Sequence, residues 1–175
     1  MAFHGLIFVI SPRLFNFRGA GIVPDVHPDH WSNGPRVGAR GVVIVDGRIL
    51  LLKYELDDEI AYLFPGGGHD PGETLTETAE REILEETGLT VEVGRLLAVH
   101  EYQPSKAGEI PDGVREIYFG DAHRVDTFFE CRVVGEAIPH MGVAPDSLHT
   151  EFLWASLDDL DELPIKPRIG DQIRE

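Results

Sequence analysis

Residues 67–89 read GGHDPGETLTETAEREILEETGL, and this stretch decides the fold expected of the chain. Thr74 and Glu77 have the spacing of a capping box, in which two side chains satisfy the free N–H groups that begin a helix. Gly88 is suited to end that helix, because glycine adopts the left-handed backbone conformation without a steric penalty. The stretch therefore predicts one helix between Thr74 and Gly88. Three apolar residues spaced four apart form its expected inward face: Leu75, Ala79 and Ile83.

Three glutamates of this helix point to a bound cation. Glu82 is followed by Glu85 and Glu86, at the spacings that place side chains on one helix face. Like charges so placed repel one another, and the negative end of the helix macrodipole disfavours them further. Carboxylate oxygens are the ligands that Mg²⁺ prefers, and Mg²⁺ commonly joins them to substrate phosphates. A solvated acidic helix would account for Glu77 and Glu80 but not for this register, so the pattern predicts a metal site for phosphate chemistry.

The same stretch resembles the signature of the Nudix hydrolases, G-x5-E-x7-R-E-U-x-E-E-x-G-U, where U is aliphatic. The resemblance covers about residues 36 to 170 and implies an α/β fold, a Nudix-type α/β/α sandwich with a mixed β-sheet. We refer to residues 67–89 as the Nudix box. All of its specified positions are filled, by Gly67, Glu73, Arg81, Glu82, Ile83, Glu85, Glu86, Gly88 and Leu89.

The resemblance also implies an activity and roles for the box residues. The expected reaction is hydrolysis of a nucleoside diphosphate linked to another moiety, by attack of water on phosphorus with Mg²⁺ or Mn²⁺ as cofactor. Arg81 is expected to orient Glu82 and Glu73. The expected catalytic residues are Arg81, Glu82, Glu85 and Glu86, and the expected metal ligands are the Gly67 carbonyl, Glu82, Glu85 and Glu86. The general base stays open between a box glutamate and three acids elsewhere: Glu109, Asp146 and Glu151.

Substrate identity depends on residues outside the box. Pro104 lies 15 residues after Leu89, where the ADP-ribose branch of the family often carries a proline. ADP-ribose or a nucleotide sugar is therefore the first expectation, with a housecleaning (d)NTP pyrophosphatase second. A non-catalytic nucleotide sensor is disfavoured because the box is intact, and an isomerase because Cys131 is not in the expected setting. The expected substrate-binding residues are Arg40, Phe64, Gly66, Gly67 and Pro104; further candidates are the cations Lys53, Arg115 and Arg124 and the aromatic residues Tyr62 and Trp154.

Composition limits the partners and the compartment. The net charge of −16 over 175 residues argues against a nucleic-acid backbone or an anionic membrane as a partner. The single cysteine, Cys131, excludes an internal disulfide and fits a reducing cytoplasm, and its strand-like surroundings predict a buried thiol. We therefore expect a cytoplasmic protein with a small nucleotide as substrate.

The chain is expected to divide into an N-terminal extension, residues 1–35, and a Nudix hydrolase domain, residues 36–175. The extension contains an apolar run, residues 3–10, which we expect to pack on the domain or on a second subunit in a homodimer. Its histidine-rich segment is interpreted as a surface turn rather than a metal site. That segment contains His27, Asp29 and His30.

Apolar runs and turn residues predict the remaining elements. Asp46-Gly47 is a strong hairpin signal, Ser156 is the expected N-cap of a second helix, and Gly94 is the expected bend of the longest strand. The run FPGGG before the box is expected to form a loop. Strands are predicted over residues 41–45, 48–53, 61–64, 90–102, 115–121, 123–134 and 151–155, and the second helix over residues 157–163.

Overall fold

The computed structural model describes residues 34–56, 59–106, 122–142 and 149–174. Several predictions lie outside these residues. They concern the N-terminal extension with its histidine-rich segment, the strand at 115–121, and the side chains of Glu109, Arg115 and Asp146.

Eight strands and two α-helices make up the described part of the chain. A single 3₁₀ turn, Asp159–Asp161, lies between the last two strands. In chain order the elements are β1 (Arg36–Val45), β2 (Arg48–Leu56), β3 (Glu59–Leu63), β4 (Gly66–Gly68), α1 (Leu75–Thr87), β5 (Val91–Tyr102), β6 (Arg124–Val133), β7 (His149–Ser156), β8 (Ile165–Lys166) and α2 (Gly170–Arg174).

The strands form one mixed sheet in the order β5-β6-β1-β2-β3-β8, with β4 paired to β1 and β7 to β2. The pairs β1–β6 and β3–β8 are parallel, and the others are antiparallel. Asp46 and Gly47 both have positive φ, 49° and 72°, so the predicted hairpin between β1 and β2 is confirmed. The bend predicted at Gly94 is also confirmed, because the β5–β6 register shifts between Val93 and Leu96.

Strand β1 lies at the centre of the fold and contributes side chains to the cores on both faces of the sheet. Successive side chains of a strand point to opposite faces. Ala39 and Val43 therefore pack with Ala79 and Ile83 of α1, whereas Val42 belongs to the core on the other face. That second core is covered by the 3₁₀ turn and α2 through Leu160, Ile169 and Ile173. Helical elements on both faces of a mixed sheet give the predicted α/β/α arrangement.

Helix α1 begins and ends as the sequence predicts. Thr74 Oγ1 accepts a hydrogen bond from the Glu77 N–H at 3.2 Å, and Glu77 Oε2 accepts one from the Thr74 N–H at 2.7 Å. Gly88 has φ 70° and donates its N–H to the Leu84 carbonyl at 3.0 Å. Ala79 and Ile83 are fully buried, and the partly buried Leu75 packs against the same core. The capping box, the glycine stop and the inward face are all confirmed.

The predicted helix over residues 157–163 is wrong. Ser156 does cap a turn, since its Oγ accepts from the Asp159 N–H at 3.2 Å, but only a 3₁₀ turn follows. Pro164 explains the short element, because the residue before a proline is driven out of the α region. The chain instead forms β8 and α2. Three isoleucines of this segment are buried: Ile165, Ile169 and Ile173.

The predicted glycine-rich loop is partly a strand. Gly66, Gly67 and Gly68 pair with β1 in antiparallel register, so this segment is fixed to the centre of the sheet. Gly66 has φ 138°, and a methyl group there would collide with the backbone of Ala39 and Arg40. Only glycine fits this position. The strand thus brings its backbone directly against β1 at the start of the Nudix box.

Candidate active site

Arg81 joins the acidic residues of the Nudix box. Its Nε and Nη2 donate to the two carboxylate oxygens of Glu73 at 2.6 and 2.9 Å. Its Nη1 donates to Glu82 at 2.9 Å and to Glu85 at 3.5 Å, and Nη2 also donates to the Gly68 carbonyl at 3.1 Å. Bidentate pairing of this kind fixes both the position and the orientation of a guanidinium. The contacts expected between Arg81 and the acids Glu73 and Glu82 are both present.

Glu73 is held in its charged form. The hydrogen bonds from Arg81 lower its pKa to about 2, and the Thr78 hydroxyl, which donates at 3.0 Å, acts in the same direction. The reciprocal effect raises the pKa of Arg81, with the Glu73 hydrogen bond as the largest cause. The pair therefore stays ionised across the physiological pH range, and Glu73 anchors Arg81 from outside the helix.

Two of the three helix glutamates are buried. Glu82 has no exposed surface and Glu86 is 7% exposed, whereas the Glu85 side chain is 23% exposed. Glu86 Oε2 accepts a hydrogen bond from the Gly66 N–H at 2.8 Å, which ties the helix to β4. Two buried carboxylates one helix turn apart raise each other's energy unless cations are near. A further cation at this place would therefore stabilise the fold.

The chemistry of these donors fits a divalent cation. Within the described ranges, no three His, Cys, Asp or Glu side chains converge on a ready-made ion site, because Glu82 and Glu85 turn toward Arg81. The carboxylates nevertheless share one helix end, and Gly67 follows the residue that Glu86 contacts. Hard cations prefer such oxygen donors. Glu82 and Glu85 would have to turn from Arg81 to become ligands.

Arg40, predicted to bind substrate, supports β4. Its Nη1 donates to the carbonyl oxygens of Phe64 and Gly66 at 3.0 and 3.1 Å, and its Nε lies 3.7 Å from an Asp126 carboxylate oxygen. The residue is 7% exposed. Arg40 thus positions the backbone on which Gly67 lies.

The aromatic candidates are largely buried. Phe64 is 1% exposed and packs edge to face on Phe128, with ring centroids 5.6 Å apart. This position in the core, where β3 ends, removes Phe64 from the residues able to stack on a base. Tyr62 and Trp154 are partly buried and pack against opposite cores of the sheet. Core packing is therefore the main role of all three rings.

Three other predicted residues, Pro104, Glu151 and Lys53, lie outside the Nudix box and are not part of α1. Pro104 is a half-buried turn residue just beyond β5. Glu151, a candidate base, is opposite Lys53 in the β2–β7 pair, with its carboxylate 3.6 Å from the Lys53 ammonium. The Glu151 side chain is 69% exposed, and Glu55 lies 3.1 Å from the same ammonium. Lys53 is thus already paired with two carboxylates.

Sequence reasoning missed two features near the site. Asp126 is 1% exposed within β6, and its signal was a single acid in the otherwise apolar run VDTFF. The segment after β6 caps α1: the His140 N–H donates to the Thr87 carbonyl at 2.9 Å, and the Gly142 N–H to the Glu86 carbonyl at 3.3 Å. These bonds satisfy helix carbonyls that otherwise lack partners. Because they are made by backbone groups, no pattern of residue types in this segment predicts these two hydrogen bonds.

Comparison with known proteins agrees with this geometry. An RNA pyrophosphohydrolase from Novosphingobium aromaticivorans is 30% identical over 154 residues, which cover 83% of this chain and 94% of that protein. An ADP-ribose pyrophosphatase from Methanocaldococcus jannaschii is 40% identical over 67 residues, which cover 38% of this chain and 40% of that protein. In three curated relatives, one of which is the Methanocaldococcus protein, the matched stretch is only 31% to 44% of the relative's own length.

Solved structures show the same fold. The crystal structure of a MutT NUDIX hydrolase from Burkholderia pseudomallei is 30% identical, with a TM-score of 0.60, and the match covers 81% of this chain and 97% of that one. None of the helices in the described ranges is long and apolar enough to cross a membrane. A family model for the NUDIX domain matches residues 35–175. Since that match takes in most of the chain and contains the complete box, the chain belongs to the Nudix family.

Proposed function

We propose that this chain is a metal-dependent pyrophosphohydrolase that cleaves a nucleoside diphosphate linked to another moiety. The observation that carries the proposal is the arrangement around Arg81, where one guanidinium is shared by Glu73, Glu82 and Glu85. Glu86 is buried one turn further on. Carboxylates grouped in this way suit a bound cation, and a metal-assisted hydrolase uses such a cation to neutralise phosphate charge and activate water.

The residues divide into ligands and supports. Mg²⁺ or Mn²⁺ would be held by Glu82, Glu85, Glu86 and the Gly67 carbonyl, and it would neutralise phosphate charge and make a bound water more acidic. The Gly66 N–H keeps Glu86 in place beforehand, whereas Glu82 and Glu85 contact Arg81 and would turn from it to bind the cation. A positioned cation suits phosphoryl transfer, which depends on positioning and charge neutralisation more than on covalent help.

ADP-ribose or a nucleotide sugar is the substrate class we propose first. Two observations support it: the position of Pro104 beyond the box, and the name of the Methanocaldococcus relative, an ADP-ribose pyrophosphatase. A second candidate is removal of pyrophosphate from a triphosphate, as in a (d)NTP. The relative that matches over 83% of this chain favours it, being named an RNA pyrophosphohydrolase. The net charge of −16 disfavours a long RNA as ligand.

A substrate panel tests the proposal. Purified protein is incubated with ADP-ribose, UDP-glucose, diadenosine tetraphosphate, dATP or a 5′-triphosphorylated oligonucleotide, with Mg²⁺, and products are resolved by chromatography. We expect turnover of the first two to exceed that of the others. If no compound is hydrolysed faster than in protein-free buffer, the alternative of a nucleotide-binding sensor is favoured.

Two variants of α1 compare a proposed metal ligand with an exposed residue of the same helix. Glu86→Gln removes a proposed ligand but keeps an oxygen that can accept from the Gly66 N–H, so we expect activity to fall by about 100-fold or more. Glu80→Gln is the matched control, because Glu80 is exposed on the same helix. Melting temperatures measured in EDTA show whether both variants fold. Equal activity of Glu86→Gln and Glu80→Gln would contradict the metal-site assignment.

A further inference from the structure

Thr78 contributes a buried hydroxyl beside the carboxylate that anchors Arg81. The residue has no exposed surface and lies in the first half of α1. Its Oγ1 is 3.0 Å from Glu73 Oε2 and 3.1 Å from the Thr74 carbonyl oxygen. It is also 2.9 Å from Nδ1 of His69. The signature G-x5-E-x7-R leaves residues 69 and 78 unspecified, so these contacts are a property of this chain and not of the Nudix box.

The three neighbours of the Thr78 hydroxyl compete for one proton. A hydroxyl carries a single donor hydrogen and two acceptor lone pairs. The Glu73 carboxylate is the charged acceptor, and hydrogen bonds to charged groups are about twice as strong as neutral ones. Thr78 therefore donates to Glu73, and the His69 Nδ1–H donates to Thr78. In the other neutral tautomer of His69, Nδ1 would accept the Thr78 proton and Glu73 would lose it.

This chain of hydrogen bonds joins the sheet to the helix. His69 directly follows β4, and its N–H donates to the Val37 carbonyl of β1 at 3.0 Å. The Thr78 N–H donates to the Thr74 carbonyl at 2.9 Å, within the first turn of α1. Glu73 lies in the turn between β4 and α1, so its carboxylate is held from both elements at once.

Glu73 passes this restraint on to Arg81. Both Glu73 carboxylate oxygens accept from the Arg81 guanidinium, at 2.6 and 2.9 Å, and Oε2 accepts from Thr78 as well. Glu82 and Glu85 have to turn from the same guanidinium to bind a cation. Arginine has many rotamers, so without its anchor Arg81 would follow the two carboxylates and compete with the cation for them.

We propose that Thr78 is a positioning residue of the metal site, with His69 directing its hydroxyl. The two residues fix Glu73, so that Arg81 stays in place while the helix glutamates turn to the cation. The inference rests on the proposed function for the presence of that cation. Its first test needs neither metal nor turnover, so the inference and the proposed function can fail separately.

The first test measures the contact with Glu73 in EDTA. Thr78→Val removes the hydroxyl and keeps the shape of the side chain, whereas Thr78→Ser keeps the hydroxyl and loses a methyl group. Beside the larger effect of Arg81, the Thr78 hydrogen bond lowers the pKa of Glu73. In ¹³C NMR titrations from pH 7 to 3, the Glu73 carboxyl resonance should therefore begin to shift at higher pH in Thr78→Val than in wild type or Thr78→Ser.

The matched control is Thr87→Val. Thr87 is a second fully buried threonine of α1, and its hydroxyl donates to the Ile83 carbonyl at 2.6 Å instead of to a carboxylate. This variant loses a buried hydrogen bond of the same helix, so its melting temperature should fall as well. The titration of Glu73 should stay as in wild type.

The second test measures the effect on the metal site. Mg²⁺ should raise the melting temperature of Thr78→Val less than that of wild type, because a more weakly bound cation stabilises the native state less. With saturating Mg²⁺, kcat should fall by about tenfold while KM changes little, because the contact orients the site and does not touch substrate. Thr78→Ser should retain wild-type kcat, which a role in packing alone would not predict.

A double variant tests whether His69 acts through Thr78. His69→Leu should lower kcat and the Mg²⁺ response in the same direction as Thr78→Val. Combining the two changes should lower neither value further, because both remove one hydrogen bond to Glu73. Additive losses would overturn the role assigned to His69.

The remaining outcomes separate the inference from the proposed function. An unchanged Glu73 titration or a wild-type Mg²⁺ response in Thr78→Val would overturn the inference, and so would an equal loss of kcat in Thr87→Val. No response of wild type to Mg²⁺ would overturn both. The expected titration and Mg²⁺ responses, without turnover of any compound, would reject only the proposed function.

Discussion

Two ionic clusters of this protein have opposite composition. Near α1, one guanidinium, that of Arg81, is shared by three glutamates. On the other face of the sheet, one carboxylate, that of Asp126, lies between two guanidinium groups. Among the contacts described above, the first cluster contains more carboxylates than guanidinium groups and the second more guanidinium groups than carboxylates.

The contrast bears on how a strongly acidic protein would bind the anionic substrate that the proposed function requires. Average charge matters less than local charge, because buried groups are screened less than exposed ones. A metal cation at the acidic cluster, as the proposed function requires, would supply positive charge locally on a chain whose net charge is −16. If the two clusters differ in this way, the Arg81 cluster should respond to added cations and the Asp126 cluster to added anions.

Replacing the shared cation should have the largest effect. Arg81→Gln leaves Glu82 buried without its guanidinium, so we expect the free energy of unfolding to fall by about 3 kcal/mol in EDTA. Mg²⁺ should restore part of this loss, because a dication can take over the role of counter-charge. Urea unfolding with and without Mg²⁺ measures both values. Arg95→Gln, at a side chain that is 60% exposed, is the control. The same deficit in Mg²⁺ and in EDTA would remove the argument for a cation site.

Replacing the shared carboxylate, that of Asp126, should have a smaller effect on stability, and an anion rather than a cation should reverse it. Asp126→Asn removes the carboxylate that lies near Arg40 and Arg124, and we expect a loss of about 2 kcal/mol. Phosphate, not Mg²⁺, should raise the melting temperature of this variant more than that of wild type. Glu130→Gln on the same strand is the control, since its side chain is 45% exposed. Recovery with Mg²⁺ but not with phosphate would show that the two clusters are not opposites.

Acid should weaken the Arg81 cluster through Glu73. The folded-state pKa of Glu73, about 2, lies below its ordinary value of 4.5, so its ionisation stabilises the fold above that value. This contribution is lost as the pH falls from about 4.5 toward 2. Glu73→Gln should therefore be less stable than wild type at pH 7, with the gap closing in acid. Thermal unfolding from pH 7 to 3 checks this, and a gap independent of pH would refute it.

The smallest effect is expected at a buried residue that belongs to neither cluster. Cys131 is 1% exposed in β6, and burial raises the pKa of its thiol to about 12. Because the thiolate is the reactive form, we expect a disulfide reagent to label the native protein at pH 8 far more slowly than the urea-unfolded chain. Adding Mg²⁺ or AMP should not change the rate. Rapid labelling of the native protein would show that β6 opens.

The sequence predicts those parts of the molecule that depend on neighbours along the chain. The cap at Thr74, the stop at Gly88 and the Asp46-Gly47 turn each require only a few adjacent residues, and all three are present. The contact of Arg81 with Glu85 follows from helix spacing, whereas its contacts with Glu73 and Glu82 were expected from the family resemblance. Local patterns therefore account for only part of the acidic cluster.

The Asp126 cluster could not be found this way, because its contacts join distant segments. Arg40 and Asp126 come together only through the parallel pairing of β1 and β6, which no local pattern specifies. Tertiary context also changed two predictions. Phe64 is directed into the core, and the glycine-rich run becomes β4 because β1 offers it a partner. Proline at 164 cut short the second helix despite its cap.

The alternation of side chains along β1 restricts how the length of this strand can change in evolution. Ala39 and Val43 face α1, while Arg40 and Val42 face the other side. Losing a single codon before Ala39 would exchange these two sets of side chains across the sheet. Arg40 would then lie under the apolar face of α1, and its contacts with Asp126 and the Gly66 carbonyl would be lost. Descendants of this protein can therefore vary β1 by substitution, whereas changes in its length are expected to be eliminated by selection.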